Sequence, residues 1–259
     1  MSDVSATPEN GEAFLTHNNL DSTLAQTLLA DKKLLQQQVE DQTQFIHLLL
    51  HQLATPLTAL QGSVHLLGED LNVDQRREFL DLVQQQVQHL QDLLQSLVAL
   101  RDLEAGMLAR PISFCLKSLV EEVRSKFHSP LITHHIQALP DVWGDRWQVS
   151  QILINLLSNA IKYSSADSAI EIGAASNSEG FVEVWVRDHG LGIPADAQAR
   201  LFERFYRVRH DDRANISGTG LGLSLCKLLV ENQGGQIGFE SVHGEGSRFY
   251  FTLLIRPPA

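Results

Sequence analysis

Residues 45–62 read FIHLLLHQLATPLTALQG, a leucine-rich run whose apolar positions recur at steps of three and four, the spacing of an amphipathic helix. Followed backwards, the pattern reaches Leu24. Ala25, Val39, Ile46 and Leu53 fall on one heptad position and Leu28, Leu35 and Leu49 on the other, with Lys32 and Gln42 interrupting the seam. His51 comes two residues after Leu49 and five after Ile46, which sets it opposite the seam, toward solvent. Pro56 lacks the N–H that the Gln52 carbonyl would accept. A kink beside the imidazole is expected, at a cost of about 3 kcal/mol.

An imidazole near its ordinary pKa is mostly neutral at neutral pH, so one ring nitrogen keeps a lone pair and can act as a nucleophile. His51 is therefore a candidate acceptor of a phosphoryl group, given a donor elsewhere in the chain. His47, His65 and His89 read as ordinary surface histidines among the eleven in the sequence.

A second helix is expected from Asp74 to Glu104, with Leu80, Val83, Val87, Leu90, Leu94 and Leu97 as its stripe, Asp74 as N-cap and Gly106 as its stop. Two such helices joined by a short link form a hairpin whose apolar stripe is half covered. Pairing two copies completes a four-helix bundle, so a homodimer is expected. Residues 1–22 are polar and aperiodic, which reads as a flexible leader. Past Pro111 the texture turns to short strand-like runs, glycine clusters and separate helices. The domains read are thus a leader (1–22), a helical hairpin (23–106) and a second domain (112–257). In the last, FVEVWVRD (181–188) and SRFYFTLLI (247–255) alternate as strands do, while 118–128, 146–162 and 220–232 are helical. Helices interspersed with a mostly antiparallel sheet follow.

The net charge of −11 and the lack of clustered Lys and Arg argue against nucleic acid as a partner. No signal-peptide pattern opens the chain and no run of eighteen apolar residues occurs, so no membrane span and a cytoplasmic location are expected. Cys115 and Cys226 stand apart, without CxxC or His spacing, and read as ordinary buried thiols.

WQVSQILINLLSNAIKYSS (147–165) carries a buried stripe of Val149, Ile152, Leu153, Leu156, Leu157 and Ile161. On an adjoining face stand Gln151, Asn155, Asn159 and Lys162. Amide oxygens and a lysine are hard donors and a phosphate counter-charge, which a magnesium nucleotide requires. In RDHGLGIP (187–194) a strand delivers Asp188 into a turn, where the carboxylate can accept from an exocyclic amine and Gly190 and Gly192 admit a flat ring. GTGLGLSLCKLLV (218–230) is a glycine loop opening into a helix, whose free N–H groups attract phosphate. It does not follow a strand, so a nicotinamide reading falls away.

These motifs, in this order, resemble the sensor histidine kinases of bacterial two-component systems from about residue 40 onward. HQLATPL (51–57) resembles the phosphoacceptor box, NLLSNAIKY (155–163) the asparagine box and DHGLGIP the aspartate box. LFERFYR (201–207) resembles the phenylalanine box, GTGLGL the last glycine box, and GEGSRFYF (244–251) the closing strand pair.

The resemblance implies a dimeric helical hairpin carrying His51, then an ATP-binding α/β sandwich of the gyrase, Hsp90 and MutL kind. By that likeness Asn159, helped by Asn155, holds Mg2+, Lys162 touches phosphate and Asp188 reads the adenine amine. Tyr163, Gly190, Gly192, Gly218, Gly220, Leu221, Gly222 and Ser247 complete the ATP site, and residues 208–217 form a mobile lid. The phosphoryl group then passes to an aspartate of a response regulator, and a separate sensory protein is a possible source of the input.

The sequence departs from the family where Gln52 replaces the acidic residue after the acceptor. Glutamine can orient a ring N–H but cannot take the proton, and losing a general base typically costs about 10² to 10⁴ in rate. Ala54 stands where a basic residue is common, and His189 where asparagine is usual. Thr55, one turn beyond His51, matches a position that orients water against a regulator's phosphoaspartate. A lean toward phosphatase activity is one expectation, and an ATP-responsive dimeric scaffold is the alternative. A plain ATPase of the gyrase type is disfavoured, because Asn155 stands where those enzymes need a glutamate.

Overall fold

The computed structural model describes residues 9–67, 71–105, 109–127, 131–137, 139–178, 180–208 and 218–255. The chain divides into two compact units, Met1–Thr58 and Ala59–Ala259, with the division falling inside the first helix.

The first unit is the bulk of helix α1 (Glu9–Leu67). Residues 9–22 of the expected leader are helical and continuous with the rest of α1, and residues 1–8 lie outside the described part. Pro56 stays inside a helix that continues to Leu67. Around it the hydroxyls of Thr55 and Thr58 donate to the carbonyls of His51 and Ala54, at 3.1 and 2.9 Å. Leu28, Leu35, Val39 and Ile46 of the seam are largely exposed within the single chain.

The second unit contains helix α2 (Val73–Glu104). Its N-cap is Asn72, not Asp74: the Asn72 carboxamide accepts from the Gln75 N–H at 2.8 Å, and the Gln75 side chain accepts from the Asn72 N–H. This reciprocal pair satisfies two groups at once, while Asp74 sits in the first turn near the positive end of the helix. Gly106 lies outside the described residues, and α2 ends at Ala105, whose N–H reaches the Arg101 carbonyl.

Leu80, Val87 and Leu94 of the expected stripe are exposed, whereas Leu93, Ser96, Ala99 and Leu100 are buried. The helix thus has two faces with apolar residues, of which the leucine spacing reveals one.

After α2 the chain forms β1 (Ile112–Phe114), α3 (Leu116–Ser125), β2 (Ile132–Ile136), β3 (Val142–Gly144), α4 (Arg146–Tyr163), β4 (Ile170–Ser176) and β5 (Phe181–Asp188). The short α5 (Ala195–Gln198), α6 (Gly222–Glu231), β6 (Ile237–Val242) and β7 (Gly246–Ile255) follow. The sheet runs β1-β3-β7-β5-β4-β2, with β6 also on β7. Its pairings are antiparallel except β2 with β4.

Period-two alternation decides the sheet's faces. Val182, Val184 and Val186 point at the helices and are buried, as are Phe251 and Leu253 of β7. Buried on the helix side are Ile152, Leu153, Leu156 and Leu157 of α4 and Leu225, Leu229 and Val230 of α6, with Leu119 and Val123 of α3, which neighbours α4 and β2. Ile161, expected in the α4 stripe, is instead 39% exposed near the end of that helix. On the opposite face Arg248 pairs with Glu183, its guanidinium 4.9 Å from the ring centre of Trp185 and 5.2 Å from that of Tyr250. Gly173 and Gly238 lie under these two rings, where a Cβ would come within 2.1 Å of Trp185 and 2.4 Å of Tyr250.

Cys226 is buried, with its thiol pushed up to about 12 by desolvation. Cys115 is exposed, contrary to expectation, because it occupies the junction between β1 and α3 and not a core face.

Candidate functional site

Asp188 is the fourth inward residue of β5 after Val182, Val184 and Val186, so the alternation that buries the valines also turns its carboxylate toward the helices. It is 6% exposed. Burial raises its pKa above the usual carboxylate range, and the backbone N–H groups of Gly190 and Ser247 offset part of that. The Gly190 N–H donates to Oδ1 at 2.9 Å. The carboxylate is thus held in place at the end of a cavity.

Helix α4 supplies the adjoining wall. Asp145 caps its start, accepting from the N–H groups of Trp147 and Gln148 at 3.0 and 3.1 Å. From that fixed start, steps of four, four and three carry Gln151, Asn155, Asn159 and Lys162 along one face, and all four line the cavity with Tyr163.

The third wall is the loop 218–221 and the first turn of α6. Gly218, Gly220 and Gly222 line the cavity. At Gly220, where φ is +71°, a Cβ would lie within 2.8 Å of the Phe205 backbone, and Phe205 donates its N–H to the Gly220 carbonyl at 2.9 Å. Glycine is therefore required there. Gly192, with φ +60°, faces the Val242 carbonyl at 1.9 Å from where a Cβ would stand.

Ser247 also lines the cavity. Gly190 and Leu221 do not. Gly190 backs the wall, a Cβ there meeting the Tyr163 carbonyl at 2.3 Å, and the Leu221 side chain is fully buried in the core. His189 likewise stays outside the cavity, with Nε2 3.5 Å from Glu171. Residues 209–217, most of the expected lid, lie outside the described residues.

Sequence reasoning missed several lining residues. Ile193, Leu225 and Phe249 give an apolar surface near Asp188, and Thr219, 8% exposed, accepts the Leu221 N–H at 3.2 Å. More unexpectedly, α2 closes part of the cavity through His89, Asp92, Gln95, Ser96 and Ala99. The Gln95 carboxamide donates to that of Gln151 at 3.1 Å. The spacing 89, 92, 96, 99 is a helical stripe, visible in the sequence but hidden between two leucine seams.

Chemically, the cavity combines an acceptor for an amine beside an apolar slot, two carboxamides, a lysine and an open helix N-terminus. Gly222 leaves space at the Asn155 carboxamide, since a Cβ there would stand 3.6 Å from Oδ1. The Asn155 and Asn159 carboxamide oxygens are the hard donors on this wall that suit a small divalent cation. Among the described residues no group of three or more His, Cys, Asp or Glu could hold a metal.

In the first unit His51 is exposed and Gln52 half-buried. The Thr55 hydroxyl, one turn on, donates to the carbonyl of His51 itself.

Two family models match the chain. The His Kinase A (phospho-acceptor) domain covers residues 41–106, and the histidine kinase-, DNA gyrase B- and HSP90-like ATPase covers 144–257. The adaptive-response sensory kinase SasA of Synechocystis sp. is 32% identical over 243 residues, 88% of this chain and 63% of the relative. The signal transduction histidine-protein kinase BarA of Escherichia coli is 33% identical over 86% of this chain and 26% of the relative.

Among solved structures, Acinetobacter baumannii histidine kinase AdeS aligns with a TM-score of 0.62 at 25% identity, over 80% of this chain and 98% of that one. Full-length ShkA in complex with AMPPNP aligns at 0.59 and 26% identity, over 80% of this chain and 45% of that one. The chain belongs to the sensor histidine kinases of two-component systems, with a helical phosphoacceptor domain followed by an ATP-binding α/β sandwich. It spans about 63% of the length of SasA, the first of these relatives. No helix among the described residues is long and apolar enough to cross a membrane.

Proposed function

We propose that this chain is the kinase core of a cytoplasmic, homodimeric two-component enzyme that transfers the γ-phosphoryl group of ATP to His51 and then to a response-regulator aspartate. The observation that carries the reading is the convergence of Asp188, Asn155, Asn159, Lys162 and the α6 N-terminus on one cavity. Asp188 accepts the adenine amine, the slot of Ile193 and Phe249 takes the ring, and Lys162 with the first N–H groups of α6 meets the phosphates. Asn155 and Asn159 would hold Mg2+, which supplies charge neutralisation to the phosphates. Tyr163, Gly192, Gly218, Gly220, Gly222 and Ser247 shape the walls, while Gly190 and Leu221 support them from behind. The domain limits proposed are 23–106 for the phosphoacceptor region and 112–257 for the ATP-binding domain. A sensory protein on a separate chain would supply the input.

Incubation with γ-labelled ATP and magnesium tests the assignment. Acid-labile label on the tryptic peptide 34–76, which contains His51, is expected in the wild type and should leave that peptide in His51→Gln. Label persisting there in the variant would overturn the assignment of His51.

Gln52 favours a second activity of the same site. An amide cannot accept the imidazole proton, yet with Thr55 it can orient a water toward a phosphoaspartate. A phosphatase activity beside the kinase activity is the second reading, and the decay of a phosphorylated receiver domain should then slow in Thr55→Ala. Equal decay rates would remove this reading and favour the alternative, an ATP-responsive scaffold with weak chemistry.

A further inference from the structure

We infer that His89 is a second phosphoacceptor, receiving the γ-phosphoryl group of ATP bound in the cavity that α2 helps to close. This rests on the nucleotide reading above but assigns a nucleophile that the family motifs do not contain. His89 lines the same cavity as Lys162, Asn159 and Arg207, near enough to Lys162 and Arg207 to feel both charges, and it is half-buried. Asp92, one turn further along α2, lines it too, with its carboxylate held by the Gln88 amide at 2.9 Å. The buried side chains of Leu93, Ala99 and Leu100 fix this face of α2 against the domain, and Gln95 bonds across to Gln151.

Burial, ahead of the opposing pull of Asp92, lowers the His89 pKa, and the Lys162 and Arg207 charges push the same way. At neutral pH the ring is therefore neutral, with one nitrogen lone pair available.

The two histidines divide the required features between them. His51 is followed by an amide that cannot hold a proton, whereas His89 has a carboxylate at i+3 on its own helix face. In the step proposed, the lone pair of one ring nitrogen attacks the γ-phosphorus. A P–N bond forms as the bond to the bridging oxygen breaks, and its electron pair leaves on ADP. The proton on the other ring nitrogen is stabilised by Asp92 and passes to it or to water, leaving a phosphohistidine with an uncharged ring and an anionic phosphoryl group.

Trypsin separates the two sites. Peptide 34–76 carries His47, His51 and His65, while peptide 78–101 carries a single histidine, His89. Full chains of wild type, His51→Gln, His89→Gln, Asp92→Asn and the double histidine variant are incubated with γ-labelled ATP and magnesium, digested at neutral pH and mapped. Binding of a fluorescent ATP analogue to each variant is measured alongside.

The expected result is acid-labile label on 78–101 in His51→Gln, lost in the double variant and reduced about 10²-fold in Asp92→Asn. Because α2 and the cavity belong to one chain, the initial rate of this labelling should be first order in protein. Label confined to 34–76 overturns the inference while leaving the kinase reading intact. A wild type that binds the analogue but labels neither peptide overturns both. Should His89→Gln fail to bind nucleotide, the map of His51→Gln alone still decides.

Discussion

Asp188 shows how one side chain joins fold and chemistry. It continues the inward alternation of β5 and ends it with a charge, so its burial is a consequence of strand geometry. Its folded-state pKa lies above the unfolded one, near 3.9. Any stability it confers is therefore fully present below the unfolded value and lost as pH rises through the folded one. In its proposed role as acceptor of the adenine amine the sense is opposite, since the ionised form is the better acceptor. ATP-analogue affinity should begin to fall, as pH is lowered, at a higher pH than an ordinary carboxylate would give. Asp188→Asn should weaken binding roughly 10- to 100-fold and remove this pH step, as a titration by fluorescence anisotropy would show. At Gln52 a single carboxylate is the expected remedy: Gln52→Glu should raise the labelling of His51 about 10²-fold, and an unchanged rate would locate the limitation elsewhere. Gly220→Ala should cost about 2 kcal/mol or more in a urea titration, from its positive φ and the Phe205 backbone. Gly218→Ala, with nothing within 4 Å of the new methyl, should leave the urea midpoint unchanged.

Elements differ in how far their residues announce them. The strands β5 and β7 and the helix α4 follow from alternation and from three-four spacing, because each has one buried face and a polar one. Helix α2 is legible as a helix but not as a two-sided one: Leu80, Val87 and Leu94 advertise the exposed seam, while the second face is built from Leu93, Ser96, Ala99 and Leu100. Small residues at 96 and 99 carry little hydropathy signal, so the stripe that reaches the cavity, His89 included, looked like solvated surface. The same limit explains Asn72, whose capping role depends on a reciprocal bond to Gln75, and Cys115, whose exposure depends on its place at a junction. The two faces of α2 lead to separable expectations. Leu93→Ala should lower the stability of the second unit by about 2 to 5 kcal/mol in chemical denaturation. Leu94→Ala, at a position 63% exposed, should cost a single chain little and instead weaken its association.

At the scale of the whole molecule, the phosphoacceptor domain of this family implies dimerisation, and in the proposed dimer the exposed apolar residues of α1 would form the pairing seam. Replacing Leu35 and Val39, each 61% exposed, with lysine should shift sedimentation equilibrium from dimer toward monomer, because like charges would face each other across the pairing seam. The three tryptophans, Trp143, Trp147 and Trp185, all belong to the ATP-binding domain, and neither α1 nor α2 contains one. Intrinsic emission therefore reports on that domain alone, whereas far-ultraviolet circular dichroism is weighted toward the two long helices. Melting curves recorded both ways will superimpose if the chain unfolds as one cooperative block, and a gap between them will give the free energy by which the signalling helices loosen before the catalytic domain does.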